Sequence, residues 1–197
     1  GIEASYLMSI GKANIIAIDL TKEAARTTQL TMNKLGSGIA IQADSRYLPI
    51  KNASIDFIYS SGVLHHSKNI EQSINEIYRI LKPNGIAYIG LYSNTSIHFQ
   101  LIRLRALLNG SFSSTKINDK LSSNTEKNWE NAESVNPHTR IYGKSDCKKL
   151  FEKFSNKSFR RDGFYLPDRG LYKFIKFVER MKIFSFFGNG IYIKAQK

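Results

Sequence analysis

Four short isoleucine-rich runs constrain this chain more than any other feature. "ANIIAIDL" (13–20), "SGIAIQAD" (37–44), "SIDFIYSS" (54–61) and "GIAYIGLY" (85–92) are each about one strand long. Near-continuous apolar runs of that length suit strands buried on both faces of a parallel sheet. Helical spacing fills the gaps between them. Thr21 is placed to cap a helix through about Leu35, with Ala25, Thr28, Met32 and Leu35 on one face and Gly36 as its stop. Asn69 with Gln72 resembles a capping box, and Ile70, Ile74, Ile77, Tyr78 and Leu81 repeat at helical spacing until "KPNG" breaks the pattern. Strand–helix–strand alternation with short connections predicts right-handed βαβ units on a mostly parallel sheet, an α/β fold.

The second half is less regular. Residues 2–11 and 96–109 read as helices, and 110–136 are polar, rich in Ser, Asn and Lys, and read as a mobile loop or cap. Ser145 is placed to cap a helix through Phe154, while 158–166 and 188–197 read as two closing strands. Between them, 171–184 sets Leu171, Phe174, Ile175, Val178 and Met181 on one face with basic residues elsewhere. That pattern fits a core-packing helix, and it also fits a basic amphipathic helix lying on a membrane.

A length of 197 residues suits one domain over 1–197, made of a half at 1–92, a helix, loop and substrate cap at 93–156, and closing strands at 157–197. Charge is uneven: residues 1–97 hold nine Lys/Arg against seven Asp/Glu, and 98–197 hold twenty against nine, so +11 of the net +13 lies in the second half. Such a surface favours anionic small molecules or a membrane face. No RNA-binding signature of the aromatic-platform kind is present, so no nucleic-acid partner is expected. Cys147 is the single cysteine, which excludes an intrachain disulfide or a cysteine-based zinc cluster and fits a reducing cytoplasm. No apolar run approaches the roughly 20 residues that span a bilayer, and no signal peptide is visible.

Ligands of parallel α/β sheets bind beyond the carboxyl ends of the strands. That rule singles out Asp19, Asp44 and the stretch Ser60–His66. An acid ending the first run is placed to accept hydrogen bonds from both hydroxyls of a ribose, although acids also end strands as turn formers. Asp44 is placed to accept from an adenine amino group while the Ser45 N–H meets a ring nitrogen; its plain alternative is a turn aspartate capping Ser45–Arg46. Together, two acids on adjacent strands describe a groove shaped for adenosine.

"IIAIDLT", "QADSRYLPIKNASIDFIYSSGVLHHSKN" and "EIYRILKPNGIAYIGLY" resemble, in order and spacing, the successive motifs of class I S-adenosylmethionine-dependent methyltransferases. The closest likeness is to the small-molecule branch related to the ubiquinone-biosynthesis methyltransferases. The resemblance covers about residues 1–92 and the closing "GIYIKAQK" strand. It implies a Rossmann-like, doubly wound, seven-stranded sheet with a reversed last strand, and S-adenosylmethionine as cofactor. It also implies a glycine-rich loop after a first strand; Gly1 matches the last glycine of that loop. The expectation is therefore an N-terminally truncated chain whose first strand lies upstream.

By the same resemblance Asp19 binds the ribose hydroxyls, Leu20 lines one adenine face, and Asp44 and Ser45 address the adenine edge. Ser60, Ser61 and Gly62 approach the methionine and sulfonium. His65 is expected on the substrate side as a hydrogen-bonding group or general base, with orientation of its loop as the alternative role, and His66 is expected as scaffold. Neighbouring side chains diverge, so at most one of the pair faces the pocket. His98 and His138 share no ligand spacing with them, so no metal site is expected. Arg140 and Tyr142, in "NPHTRIYGKSD", are placed to contact an anionic or phenolic acceptor. The functional expectation is methyl transfer to a small, lipid-like or anionic acceptor by a cytoplasmic enzyme, with peripheral membrane contact through 171–184. The alternatives are a nicotinamide-dependent oxidoreductase and a non-catalytic basic binding module at a membrane.

Overall fold

The computed structural model describes residues 4, 6–8, 14–36, 38–108, 138–162 and 188–197. The expected mobile loop at 110–136 and the helix at 171–184 lie outside them, as does Gly1. The described residues fall into two compact units, within Gly1–Lys51 and Asn52–Lys197.

In the first unit, β1 (Ile15–Asp19) and β2 (Gly38–Gln42) run parallel, with Ile15 opposite Gly38 and Asp19 opposite Gln42. Helix α1 (Lys22–Leu35) joins them. Thr21 is its N-cap, accepting from the Ala24 N–H at 3.3 Å. Gly36 ends it at φ 134°, a backbone conformation open to glycine, with its N–H on the Met32 carbonyl at 3.1 Å. Ala25, Thr28 and Met32 are buried as expected, but Leu35 is 49% exposed, because it sits in the last turn of the helix, past the stripe that faces the strands. Gln29 makes a bond that periodicity does not reveal: its amide donates to the Gly38 carbonyl at 3.2 Å and accepts from the Ala40 N–H at 2.7 Å. The side chain thereby satisfies polar groups on an edge of β2.

The second unit is built on a four-stranded sheet in the order β3–β4–β6–β5, where β3 is Ile55–Ser61, β4 Leu81–Tyr92, β5 Ser155–Asp162 and β6 Gly190–Gln196. β3 and β4 are parallel, joined through a 3₁₀ turn (Leu64–His66) and α2 (Ile70–Ile80). The last strand, β6, inserts between β4 and β5 and is antiparallel to both, which is the reversed strand expected. Six strands are described, in two sheets.

Asn69 caps α2, its side-chain oxygen accepting from the Gln72 N–H at 3.1 Å. Ile70, Ile74 and Ile77 are 1–4% exposed and pack on Ile89, Leu91, Ile191 and Ile193 of the sheet. Burying each such side chain contributes about 1.5–3 kcal/mol. Leu81, expected at the end of the helical stripe, instead opens β4 with its side chain fully buried. "KPNG" is therefore not a loop between elements but an irregular start to the strand: Ile55 pairs with Leu81, yet Phe57 pairs with Ile86. Asn84 there takes a left-handed φ of 66°, which Asn tolerates. Lys197 closes α2 from the far end of the chain, its ammonium donating to the Leu81 carbonyl at 2.8 Å and stacking over Tyr78.

Two further helices are α3 (Ile97–Leu108) and α4 (Lys144–Leu150). Ser145 is not the cap of α4. Gly143 holds that place, and its N–H donates to the Asp146 carboxylate at 2.7 Å. Residue 143 is confined to glycine by its surroundings: a Cβ there would lie 2.6 Å from the Asn94 side chain. Among the described residues no helix is long and apolar enough to cross a membrane.

Candidate cofactor and acceptor sites

In the first unit the candidate residues sit just beyond the carboxyl ends of β1 and β2. Asp19 ends β1, and one of its carboxylate oxygens accepts from both the backbone N–H and the hydroxyl of Thr21 at 2.9 Å. The other oxygen accepts no hydrogen bond from a described residue. This local turn holds an exposed carboxylate with one acceptor edge unoccupied among the described residues. Leu20 beside it is 66% exposed, an apolar side chain left for a flat partner to cover.

Asp44 is engaged differently. Its carboxylate accepts from the Arg46 backbone N–H at 2.9 Å and from the Arg46 guanidinium, closest at 2.6 Å. The Arg46 side-chain hydrogen bonds hold its pKa below the usual carboxylate value, outweighing the opposing effect of partial burial. The turn role that the sequence left as an alternative is thus present, and an adenine amino group would share this carboxylate with Arg46. Ser45 lies in the same turn and is half-buried.

In the second unit Ser60 and Ser61 end β3, opposite Ile89 and Gly90, and are half-buried. Gly62 follows at φ 77°, exposed, its N–H donating to the Gly90 carbonyl at 3.3 Å. Glycine is needed at 90: a Cβ there would fall 2.8 Å from the Tyr192 ring and 2.9 Å from the Ser61 hydroxyl.

His65 is fully buried, its ring stacked 3.7 Å from that of Tyr92. Burial, and then the neighbouring His66, push its pKa down to about 3. The near-neutral titration expected of a general base is therefore not what this environment produces; the ring stays uncharged. Neither ring nitrogen has a hydrogen-bond partner among the described residues. The His65 carbonyl accepts the Arg140 N–H at 3.1 Å. His66, half-buried, has Nδ1 2.9 Å from the His138 carbonyl. A carbonyl only accepts, so Nδ1 carries the proton. The pair thus fastens residues 138–140 to the end of β3, and Thr139 is buried there.

Arg140 and Tyr142 do come together. Tyr142 is held by its N–H on the Tyr92 carbonyl at 2.8 Å and its own carbonyl on the Asn94 N–H at 2.9 Å. Both residues line a cavity of about 650 Å³, with Glu71 and Asn75 of α2, Arg103 of α3 and Lys149 of α4. The Tyr142 hydroxyl is buried and makes no well-formed hydrogen bond with a described residue, although Arg140 lies close enough to act on it as a donor. Burial pushes its pKa up to about 12, with the Arg140 charge pulling down and the Glu71 charge pushing up. Glu71, Arg103 and Lys149 were not singled out from sequence. They look like ordinary exposed helix residues, and only the chain path through 138–142 brings them to one cavity.

Parts of the chain resemble known proteins. Residues 1–89 match the family described as "Methyltransferase domain". A malonyl-[acyl-carrier protein] O-methyltransferase of Methylovorus is 30% identical over 87 residues, covering 43% of this chain and 29% of that protein. An uncharacterised protein of Methanocaldococcus jannaschii is 26% identical over 147 residues, 74% of this chain; the chain spans about half of that relative's length, 54%. Among solved structures, an S-adenosylmethionine-dependent methyltransferase of Methanosarcina mazei superposes with a TM-score of 0.62 at 18% identity, covering 98% of this chain and 85% of that one. One from Thermotoga maritima, described as a possible histamine N-methyltransferase, gives 0.57 at 15% identity, covering 100% and 87%. Residues 1–89 thus match the methyltransferase-domain family, and the chain shares its fold with solved S-adenosylmethionine-dependent methyltransferases.

Proposed function

We propose that this chain transfers a methyl group from S-adenosylmethionine to a small-molecule acceptor whose polar end meets Arg140 and Tyr142. The observation that carries the reading is Asp19, a carboxylate fixed by its own turn with one oxygen open, next to exposed Leu20. Those two residues fit a ribose and one face of an adenine. Asp44 fits less freely, since Arg46 already takes most of its acceptor capacity. Ser60, Ser61 and Gly62 are assigned to the methionine end.

The cofactor supplies a methyl carbon activated by a positive sulfonium. What the chain adds is alignment, and removal of a proton when the acceptor atom carries one. His65 serves as a positioning residue: neutral and stacked on Tyr92, it fixes the backbone of Arg140. A cytoplasmic setting accords with the lone, buried Cys147, whose thiol burial pushes up to about 12 and so holds unreactive.

Calorimetric titration of the intact protein with S-adenosylhomocysteine tests the reading. Saturable heat that falls in Asp19→Ala is expected. No heat with S-adenosylhomocysteine, together with tight NADH binding, would replace methyl transfer with a nicotinamide-dependent reaction.

A further inference from the structure

The cavity between α2, α3 and α4 carries charge of both signs, and several of its groups are already committed. Lys153 donates to Asn75 at 2.8 Å, and the Asp146 carboxylate accepts the Gly143 N–H. Glu71 and Arg140 are different. Each acts on the buried Tyr142 hydroxyl, from opposite sign, yet neither forms an ion pair with a described residue. The hydroxyl between these influences is buried, its residue only 7% exposed, and among the described residues only Arg140 acts on it as a donor, with no well-formed hydrogen bond. A buried hydroxyl whose hydrogen bonding is incomplete favours a ligand oxygen that accepts from it.

We propose that this cavity takes the zwitterionic end of a small amino-acid-like molecule, with its carboxylate on Arg140 and Tyr142 and its ammonium on Glu71. The inference rests on the reading that Arg140 and Tyr142 face the methyl acceptor, and it names that acceptor's class. Guanidinium and phenol together offer donors suited to a planar carboxylate. A simple dianion would gain Arg140 but meet Glu71 and Glu152; a simple polyamine would gain the glutamates but meet Arg140, Arg103 and Lys149. Only a ligand carrying both charges uses both walls. A volume of about 650 Å³ lies within the few-hundred to roughly 1,000 Å³ usual for small-molecule sites.

The test is an NMR-detected titration of the intact protein with the twenty standard amino acids in the presence of S-adenosylhomocysteine. At least one is expected to bind, with its N-acetyl and carboxamide forms about tenfold weaker, since each loses one charged contact. Glu71→Gln should abolish the preference over the N-acetyl form, and Arg140→Met the preference over the carboxamide. Both side chains are exposed, so unchanged melting temperatures should accompany the loss. Binding by none of the twenty, equal binding of the charge-blocked forms, or an unaltered preference in Glu71→Gln would overturn the proposal. S-adenosylhomocysteine affinity measured on the same samples separates the two readings. If it is retained while the amino acids fail, only the acceptor class falls; if it is absent, methyl transfer falls as well.

Discussion

The backbone N–H of Arg140 donates to the carbonyl of His65 at 3.1 Å, tying the segment before α4 to the turn after β3. Beside it, protonated Nδ1 of His66 holds the His138 carbonyl. Two adjacent histidines thus act on one distant segment by different means, one through its backbone and one through its ring. The consequence is positional: Arg140 and Tyr142 reach the cavity because residues 138–142 are pinned at both ends, by the histidines and by the β4 terminus.

Burial of His65 makes stability depend on pH in a defined direction. Its pKa is about 3 in the folded protein against 6.5 as a free side chain. Between those values the unfolded chain takes up a proton that the folded chain refuses. The stabilisation is therefore complete above about pH 6.5 and is lost on acidification towards pH 3, at up to about 1.4 kcal/mol per pH unit. Urea unfolding at pH 7 and pH 5 should show this slope. His65→Gln should flatten it by about one proton; an unchanged slope would assign the pH dependence to other groups.

Asp19 has two duties that one substitution separates. Asn at this position keeps a side-chain oxygen for the Thr21 turn but removes the charge and the second acceptor. Asp19→Asn is expected to leave the melting temperature nearly unchanged while weakening S-adenosylhomocysteine binding about tenfold or more, the scale of a lost charge-assisted hydrogen bond. Calorimetry on both proteins checks it. Equal affinities would leave Asp19 as a turn residue only.

The βαβ alternation, the caps at Thr21 and Asn69, and the isoleucine stripe of α2 were all legible in the sequence, because each rests on local periodicity or on a hydrogen bond within three residues. What was not legible depends on chain segments far apart. Ser145 has every intrinsic quality of a cap, yet the helix starts earlier, at Gly143, whose N–H is taken by the Asp146 carboxylate and whose missing Cβ leaves room for Asn94. The Asp44–Arg46 pair lies two residues apart and was readable as a turn, but the choice between a turn and a ligand contact is not written in the spacing. For the histidine pair the expectation that side chains diverge failed: in a 3₁₀ turn the two rings lie 4.1 Å apart and both meet Tyr92. Which ring is buried was decided by Tyr92, a residue at the end of a different strand.

Gly90 illustrates the same dependence at the strand ends. An added methyl would press on the Tyr192 ring at 2.8 Å and the Ser61 hydroxyl at 2.9 Å, across both neighbouring strands. Gly90→Ala is expected to destabilise the fold by about 1–3 kcal/mol, the usual range for overpacking. Combining it with Tyr192→Ala should cost less than the sum of the two single changes, since the contact with the ring disappears and only that with Ser61 remains. Strict additivity in chemical unfolding would place the strain elsewhere.

Gln29 offers the cleanest test of the first unit. Its amide joins the Gly38 carbonyl and the Ala40 N–H, so one helical side chain serves two backbone groups of β2. Gln29→Ala leaves the helix propensity intact or improved, because alanine is the best helix former. Any loss of stability therefore reports on the strand contacts together with the exposed Gln29–Asn33 side-chain bond at 2.8 Å, and about 1–2 kcal/mol is expected, less where water reaches the freed groups. Hydrogen exchange at the Ala40 amide should accelerate in the variant while that of Ile41, within the β1–β2 ladder, changes less. Uniform acceleration of both amides would mean that Gln29 supports the unit as a whole and not the edge of β2.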